Sequence, residues 1–190
     1  MRAGAPANVE TRALSARVRS DFKRLFRKDD GVQAGCWCMF YHRDGPIHAK
    51  SETARGEQNR LDHRNLVRAG RGQGFVVYRD GEPVGWCQYC RRDELPRVEP
   101  GRKYRALAPS LANRPRWRIT CFFVDRPARR QGVARTALHS ALERIARTGG
   151  GIVEAYPATS AGPAGSGSAP CGCSGTRDSA SCGRSGGATC

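Results

Sequence analysis

No stretch of this 190-residue chain is apolar for long enough to span a membrane. Its first residues, Met1-Arg2-Ala3-Gly4-Ala5-Pro6, lack the apolar run of a secretory signal. Both absences argue against an exported or membrane-embedded protein, and the cytoplasm is the expected compartment. Acidic residues are also scarce: 17 Asp and Glu stand against 33 Lys and Arg, for a net charge of +16. Nearly all of that positive charge is Arg, spread along the chain, a composition that GC-rich coding produces. Nucleic-acid binding is one reading of such charge. A surface that collects a polyanionic small molecule fits the dispersed pattern better.

Apolar side chains vanish from one segment. Between Ala158 and Cys190 there is no Val, Leu, Ile, Met or aromatic residue. Such a segment buries too little to offset the entropy of ordering it, and disorder is expected there. It reads either as a natural low-complexity tail or as coding sequence translated out of frame, and we favour the second. The expected organisation is therefore one domain over 1–157, with its core at about 74–157, and a tail over 158–190. The chain has nine Cys. Cys36-x-Cys38, Cys87-x-x-Cys90 and Cys171-x-Cys173 invite a metal reading. However, Cys87 and Cys90 fall in an expected strand, where residues three apart point to opposite faces. No metal site is expected, and reduced, buried thiols are.

Periodicity supplies the elements. Leu14, Val18, Phe22, Leu25 and Phe26 predict an amphipathic helix over Thr11 to Lys28. The apolar cluster Cys36 to Tyr41 reads as a buried strand or a cleft wall. A second helix, capped by Ser51, is expected to run to Ala69, with a thin apolar stripe of Leu61, Leu66 and Val67. Phe75-Val76-Val77-Tyr78, the turn Asp80-Gly81 and Val84 to Tyr89 read as a β-hairpin. Trp117 to Val124 is a buried strand, Gln131 to Thr148 a helix and Ile152 to Tyr156 a further strand ended by Pro157. A strand, a helix and a strand at that spacing form a βαβ unit with parallel strands.

The turn inside that unit carries the chemistry. Arg129-Arg130-Gln131-Gly132-Val133-Ala134 joins a buried strand to a helix. Gly132 and Ala134 leave the backbone open to close approach. The helix N-terminus supplies unpaired N–H groups and partial positive charge, which suits a pyrophosphate. Arg129 and Arg130 add cationic donors. A capped turn with solvated arginines is the plain structural alternative.

The same hexapeptide resembles motif A of the GNAT acetyltransferases, written Gln/Arg-x-x-Gly-x-Gly/Ala. The upstream hairpin and the downstream strand resemble that family as well, over about Gly74 to Pro157. The resemblance implies an α/β fold of the α+β type, with a mixed central sheet flanked by helices. It implies an N-acyltransferase that uses acetyl-CoA as co-substrate and a small-molecule or peptide amine as acceptor. Backbone amides of Arg130, Gln131, Gly132, Val133 and Ala134 would hold the pyrophosphate. Phe122, Phe123 and Val124 would pair with the pantetheine arm. Glu154, on the strand beside the expected gap, is the candidate base.

Family members continue with a helix and two strands, and that helix carries a Tyr that protonates the leaving thiolate. The tail here has no Tyr, so an inactive truncated module is the second reading, and a basic nucleic-acid-binding protein the third. His42 and His63 receive no role, and Trp37, Tyr41 and Trp86 read as core or as pocket lining. No specific nucleic acid and no membrane are expected as partners. Oligomeric state is open.

Overall fold

A computed structural model describes residues 8–28, 35–44, 50–98 and 114–155. A five-stranded mixed sheet runs in sequence order. It comprises β1 (Val9–Ala13), β2 (Gly74–Arg79), β3 (Glu82–Arg91), β4 (Trp117–Val124) and β5 (Val153–Ala155). The first four strands pair antiparallel, and β5 lies parallel to β4. Helices α1 (Arg19–Arg27) and α2 (Glu52–Arg68) precede β2, and α3 (Val133–Arg147) links β4 to β5.

β3 lies at the middle of the sheet and is buried from Pro83 to Cys90. Its two faces meet different partners. Val84, Cys87 and Tyr89 join Phe75, Val77, Trp117 and Ile119 against Val133, Ala137, Ala141 and Ile145 of α3. Trp86 joins Val76, Tyr78 and Phe123 against Phe22, Leu25 and Phe26 of α1. Cys87 and Cys90 point to opposite faces, as strand alternation requires: Cys87 packs on the α3 side, and Cys90 packs with Leu95 and Val98. Gly85 lets α3 approach, because a Cβ there would meet Val133 Cγ1 at 2.3 Å.

The hairpin, β4, α3 and the parallel β5 follow the sequence pattern closely, because each is specified by its own periodicity and turn residues. Ser51 caps α2 through a hydrogen bond that its Oγ accepts from the Ala54 amide at 3.1 Å. The expected helix over Thr11 to Lys28 is corrected. Residues Val9 to Ala13 form an edge strand on β2, Leu14 N–H extends that pairing to the Gly74 carbonyl, and the helix starts only at Arg19. Edge pairing with β2 outweighs the helical spacing of Leu14 and Val18. The segment Cys36 to Tyr41 forms turns rather than a strand. Trp37 and Cys38 adopt positive φ there, and both side chains are buried. The tail over 158–190, Tyr156 and Pro157 lie outside the described residues.

Candidate active site

Among the described residues, pairing between β4 and β5 covers Trp117–Ile119 against Val153–Ala155. From Thr120 to Val124, β4 has a described neighbour on the β3 side alone. The register there fixes which backbone groups face the gap. Asp125 N–H donates to the Val84 carbonyl, so the Asp125/Val84 pair is hydrogen-bonded. Alternate pairs of an antiparallel ladder are not, and Phe122 opposite Cys87 and Val124 opposite Gly85 are such pairs. The peptide groups of Phe122 and Val124 therefore point away from β3, toward the gap. Phe123, paired with Trp86, directs its own peptide groups to β3 and its side chain into the α1-side core.

After Val124 the chain makes a 3-10 turn over Arg126–Ala128 and enters α3 through Arg130 and Gly132, at φ 60 and φ 79. Alternating left-handed residues turn successive N–H groups to one side, a geometry that suits an anion. No side chain caps α3. Its first intrahelical bond of the ladder runs from Thr136 N–H to the Gly132 carbonyl, which leaves the preceding amides without helical acceptors. A Cβ on Gly132 would meet nothing within 4 Å, so the space above this backbone is open.

The side chains of the hexapeptide brace the turn from behind. Arg129 Nε donates to the Val124 carbonyl at 3.1 Å. Gln131 Nε2 donates to the Pro127 carbonyl at 2.7 Å, and its Oε1 accepts from Arg79. Arg130 is exposed, Val133 is buried against Gly85 and Ala134 is half-buried. Lys28 Nζ meets Asp125 Oδ2 at 2.8 Å and ties the end of α1 to the same turn.

Glu154 lies opposite Arg118 in the β4–β5 register. Its Oε2 accepts from Arg118 Nε at 2.8 Å, and the Arg118 side chain is 1% exposed. Its other oxygen makes no hydrogen bond to a described residue.

A buried polar chain that sequence reasoning did not single out ends at the same gap. The register shift between Gln88 and Tyr89 leaves Thr120 as an extra residue on β4. Thr120 Oγ1 donates to Gln88 Oε1 at 2.8 Å. Gln88 Nε2 reaches the Cys38 carbonyl at 3.2 Å and His42 Nε2 at 3.1 Å. His42 Nδ1 faces the Glu94 carbonyl at 3.1 Å, so Nδ1 must carry the proton and Nε2 must accept. Burial, foremost, holds His42 down to about 4, with Arg71 adding to the shift and the Glu94 carbonyl opposing it. The imidazole is neutral at pH 7 and fixes the direction of every bond in the chain. No local pattern marks these residues, which come from four separate segments.

His63 belongs to neither group: it stacks on Phe22 at 4.5 Å, and burial, foremost, drives it down to about 3. Trp37 and Trp86 are core, and Tyr41 packs beside Cys90 and Leu95. A separate depression of about 280 Å³, lined by Leu14, Val67, Gly74 and Arg144 among others, touches none of the coenzyme-binding candidates. Among the described residues, no three metal-ligating side chains converge, and no helix is long and apolar enough to cross a membrane.

Residues 37–161 match the acetyltransferase (GNAT) family. The chain belongs to that family. No curated protein matches it. Among solved structures, it resembles the aminoglycoside N-acetyltransferase AAC(6')-Iy in complex with CoA. That pair has a TM-score of 0.51 and 11% identity, over 80% or more of each chain (83% of this one and 82% of the other). It also resembles a GCN5-related N-acetyltransferase from Ralstonia eutropha, with TM-score 0.48 and 17% identity over 78% of this chain and 83% of that one. An aminoglycoside acetyltransferase from an uncultured soil metagenomic sample, solved with trehalose, gives TM-score 0.49 and 13% identity over 80% and 78%. At these identities the likeness is one of fold. GNAT proteins use acyl-CoA, and the gap beside β4 and the open turn before α3 lie along one continuous stretch of backbone, Phe122 to Ala134.

Proposed function

We propose that this GNAT protein is an acetyl-CoA-dependent N-acetyltransferase of the cytoplasm, acting on an amine by direct attack. The observation that carries the reading is the continuity of two backbone surfaces. Phe122 and Val124 turn their peptide groups away from β3, and Arg130 to Ala134 then present amides to an open concavity. The first surface suits the amide groups of a pantetheine arm added like a strand, and the second suits a pyrophosphate. The described thiols Cys36, Cys38, Cys87, Cys90 and Cys121 form no disulfide with one another, which suits a reducing compartment. We assign the domain to 1–157 and the tail to 158–190.

In the reaction, the amine nitrogen bonds to the thioester carbonyl carbon, the carbon–sulfur bond breaks, and the thiolate leaves to take up a proton. Backbone N–H groups at the β4 edge stabilise the negative charge on the carbonyl oxygen. Glu154 takes the proton of the amine through its other oxygen, while Arg118 fixes the carboxylate. Thr120, whose hydroxyl proton is committed to Gln88, accepts a hydrogen bond from the incoming amine and positions it.

Titration calorimetry of acetyl-CoA into the whole chain, with a thiol-release assay over a panel of amines, tests this. Binding with turnover supports it. Binding with no turnover for any amine favours the inactive-module reading, and a folded protein that binds no acyl-CoA overturns the proposal.

A further inference from the structure

The fold gathers six of the 33 dispersed cations at one place. Arg19, Lys23 and Arg27 recur every four residues on α1, and Arg60, Arg64 and Arg68 recur every four on α2. Each row follows by one residue the row that its helix buries: Phe22 and Phe26 on α1, and Asn59, His63 and Val67 on α2. The helices pack on a shared core through those buried rows, so the cationic rows are brought alongside each other. Arg19 Nη2 donates to the Arg60 carbonyl at 3.4 Å, which joins the two rows directly.

Six cations line this seam, and Glu57, bound to Arg60, is the acid paired within it. Lys23, Arg27, Arg64 and Arg68 have no ion pair or side-chain hydrogen bond to a described residue. Burial, and then Arg60, Arg64 and Arg68, push Arg19 down from its ordinary value. Arg27 foremost does the same to Lys23. The cations therefore repel one another, and an anion in the seam would relieve that repulsion.

We propose that the α1–α2 seam is a docking surface for the phosphodiester backbone of a nucleic-acid strand, held without regard to base sequence. Four residues of helix advance about 6 Å, so each row offers regularly spaced cations to a regularly spaced polyanion. Five of the six are Arg, whose planar fork binds phosphate oxygens in pairs. The exposed large hydrophobic among the described residues is Val9, on β1 and away from the seam. Among the described residues the seam thus has no aromatic platform for stacking bases and no apolar wedge for a bilayer, which favours backbone contact over base reading or membrane insertion.

Fluorescence anisotropy with a labelled mixed-sequence RNA strand, a DNA strand and a DNA duplex tests this across a salt series. The ladder variant is Arg27→Glu/Arg68→Glu, both exposed positions. The control is Arg144→Glu/Arg147→Glu on α3, which changes net charge equally. The expected result is binding to all three probes, weakened at least tenfold in the ladder variant. Its salt slope should be shallower by about 1.4 for single strands, from two lost contacts at about 0.7 each. The control should stay near wild type, and unchanged acetyl-CoA binding in both variants shows that the fold is intact. The proposal is overturned if the control weakens binding equally or the ladder variant binds as wild type. It is also overturned if the wild type binds only phosphatidylglycerol vesicles or polyglutamate.

Discussion

The two faces of the sheet bury their side chains in different ways. On the α3 face, the core is almost wholly aliphatic and aromatic: Phe75, Val77, Tyr89, Ile119, Val133, Ala137, Ala141 and Ile145. On the α1–α2 face, aromatic rings crowd together, with Phe22 at 4.1 Å from Phe26 and 4.7 Å from Trp86. Among and beside them lie Asn59, His63, Gln88 and Arg118, all buried polar groups. The α3 face holds the proposed coenzyme turn by packing Val133 at Gly85, while Arg129 and Gln131 bond backbone carbonyls of the turn. The opposite face positions Thr120 and Glu154 by directed hydrogen bonds, which tolerate no slip of register.

Variants that touch one face and spare the other test this division. The largest effect is expected from Gly85→Val. Its side chain would collide with Val133, so soluble folded protein should fall sharply and any remainder should melt more than 10 °C lower, by about 3 kcal/mol of overpacking. A melting temperature near wild type would show that β3 and α3 are not held as described. Next is Glu154→Gln, for which kcat should drop about a hundredfold with acetyl-CoA affinity kept. Because this variant also leaves Arg118 without its carboxylate partner, thermal melting must accompany the kinetics. An unchanged kcat would place the base elsewhere.

Gly132→Ala separates site from fold. The left-handed backbone costs alanine about 1 kcal/mol, yet nothing clashes, so the protein should fold while acetyl-CoA binds about tenfold more weakly. Equal affinity would exclude this turn as the pyrophosphate site. Thr120→Val should raise KM for the amine about tenfold and leave coenzyme binding alone, and Thr120→Ser should restore it. If serine and valine behave alike, the hydroxyl plays no part.

The smallest effect concerns the two histidines of the polar face. Both have folded values depressed below the ordinary histidine value, His42 to about 4 and His63 to about 3. The unfolded chain therefore binds more protons, and their contribution is fully present above pH 6.5. It is lost as pH falls from there toward 4 and then 3, by up to about 1.4 kcal/mol per pH unit for each group. His63→Leu should flatten the decline in melting temperature between pH 6.5 and 4, and it costs little at pH 7, because neither ring nitrogen bonds to a described residue. A decline as steep as wild type would show that His63 is protonated in the native state.

Legibility in the sequence divides along the same line. The β2–β3 hairpin, β4, α3 and parallel β5 were readable, since Asp80-Gly81, the apolar run to Val124 and the face from Val133 to Ile145 act locally. The turn at Arg129 to Ala134 was readable as an entry into a helix because Gly132 stands just before a helical apolar face. Edge strand β1 was not, because Val9 to Ala13 has one large apolar residue and gains its conformation from pairing with β2, more than sixty residues later. The thin apolar stripe of α2 makes sense only once Asn59 and His63 are seen buried beside Val67. Asn59 turns inward because its amide donates to the Gly35 carbonyl at 2.8 Å. Dispersed charge in one dimension likewise became two facing rows in three.

The sequence by itself determined a strand, an open turn and a helix, the stretch proposed to meet the coenzyme through its backbone more than its side chains. Such sites are written in contiguous residues, because a phosphate is held by amides that follow one another along the chain. Only the tertiary structure decided the polar side proposed for the acceptor. It placed Thr120, Gln88, His42 and the Glu94 carbonyl in one directed chain, and Glu154 on Arg118, from segments with no local reason to meet. Hydrogen bonds between distant segments depend on register and on a single extra residue in β4, and no periodicity records either.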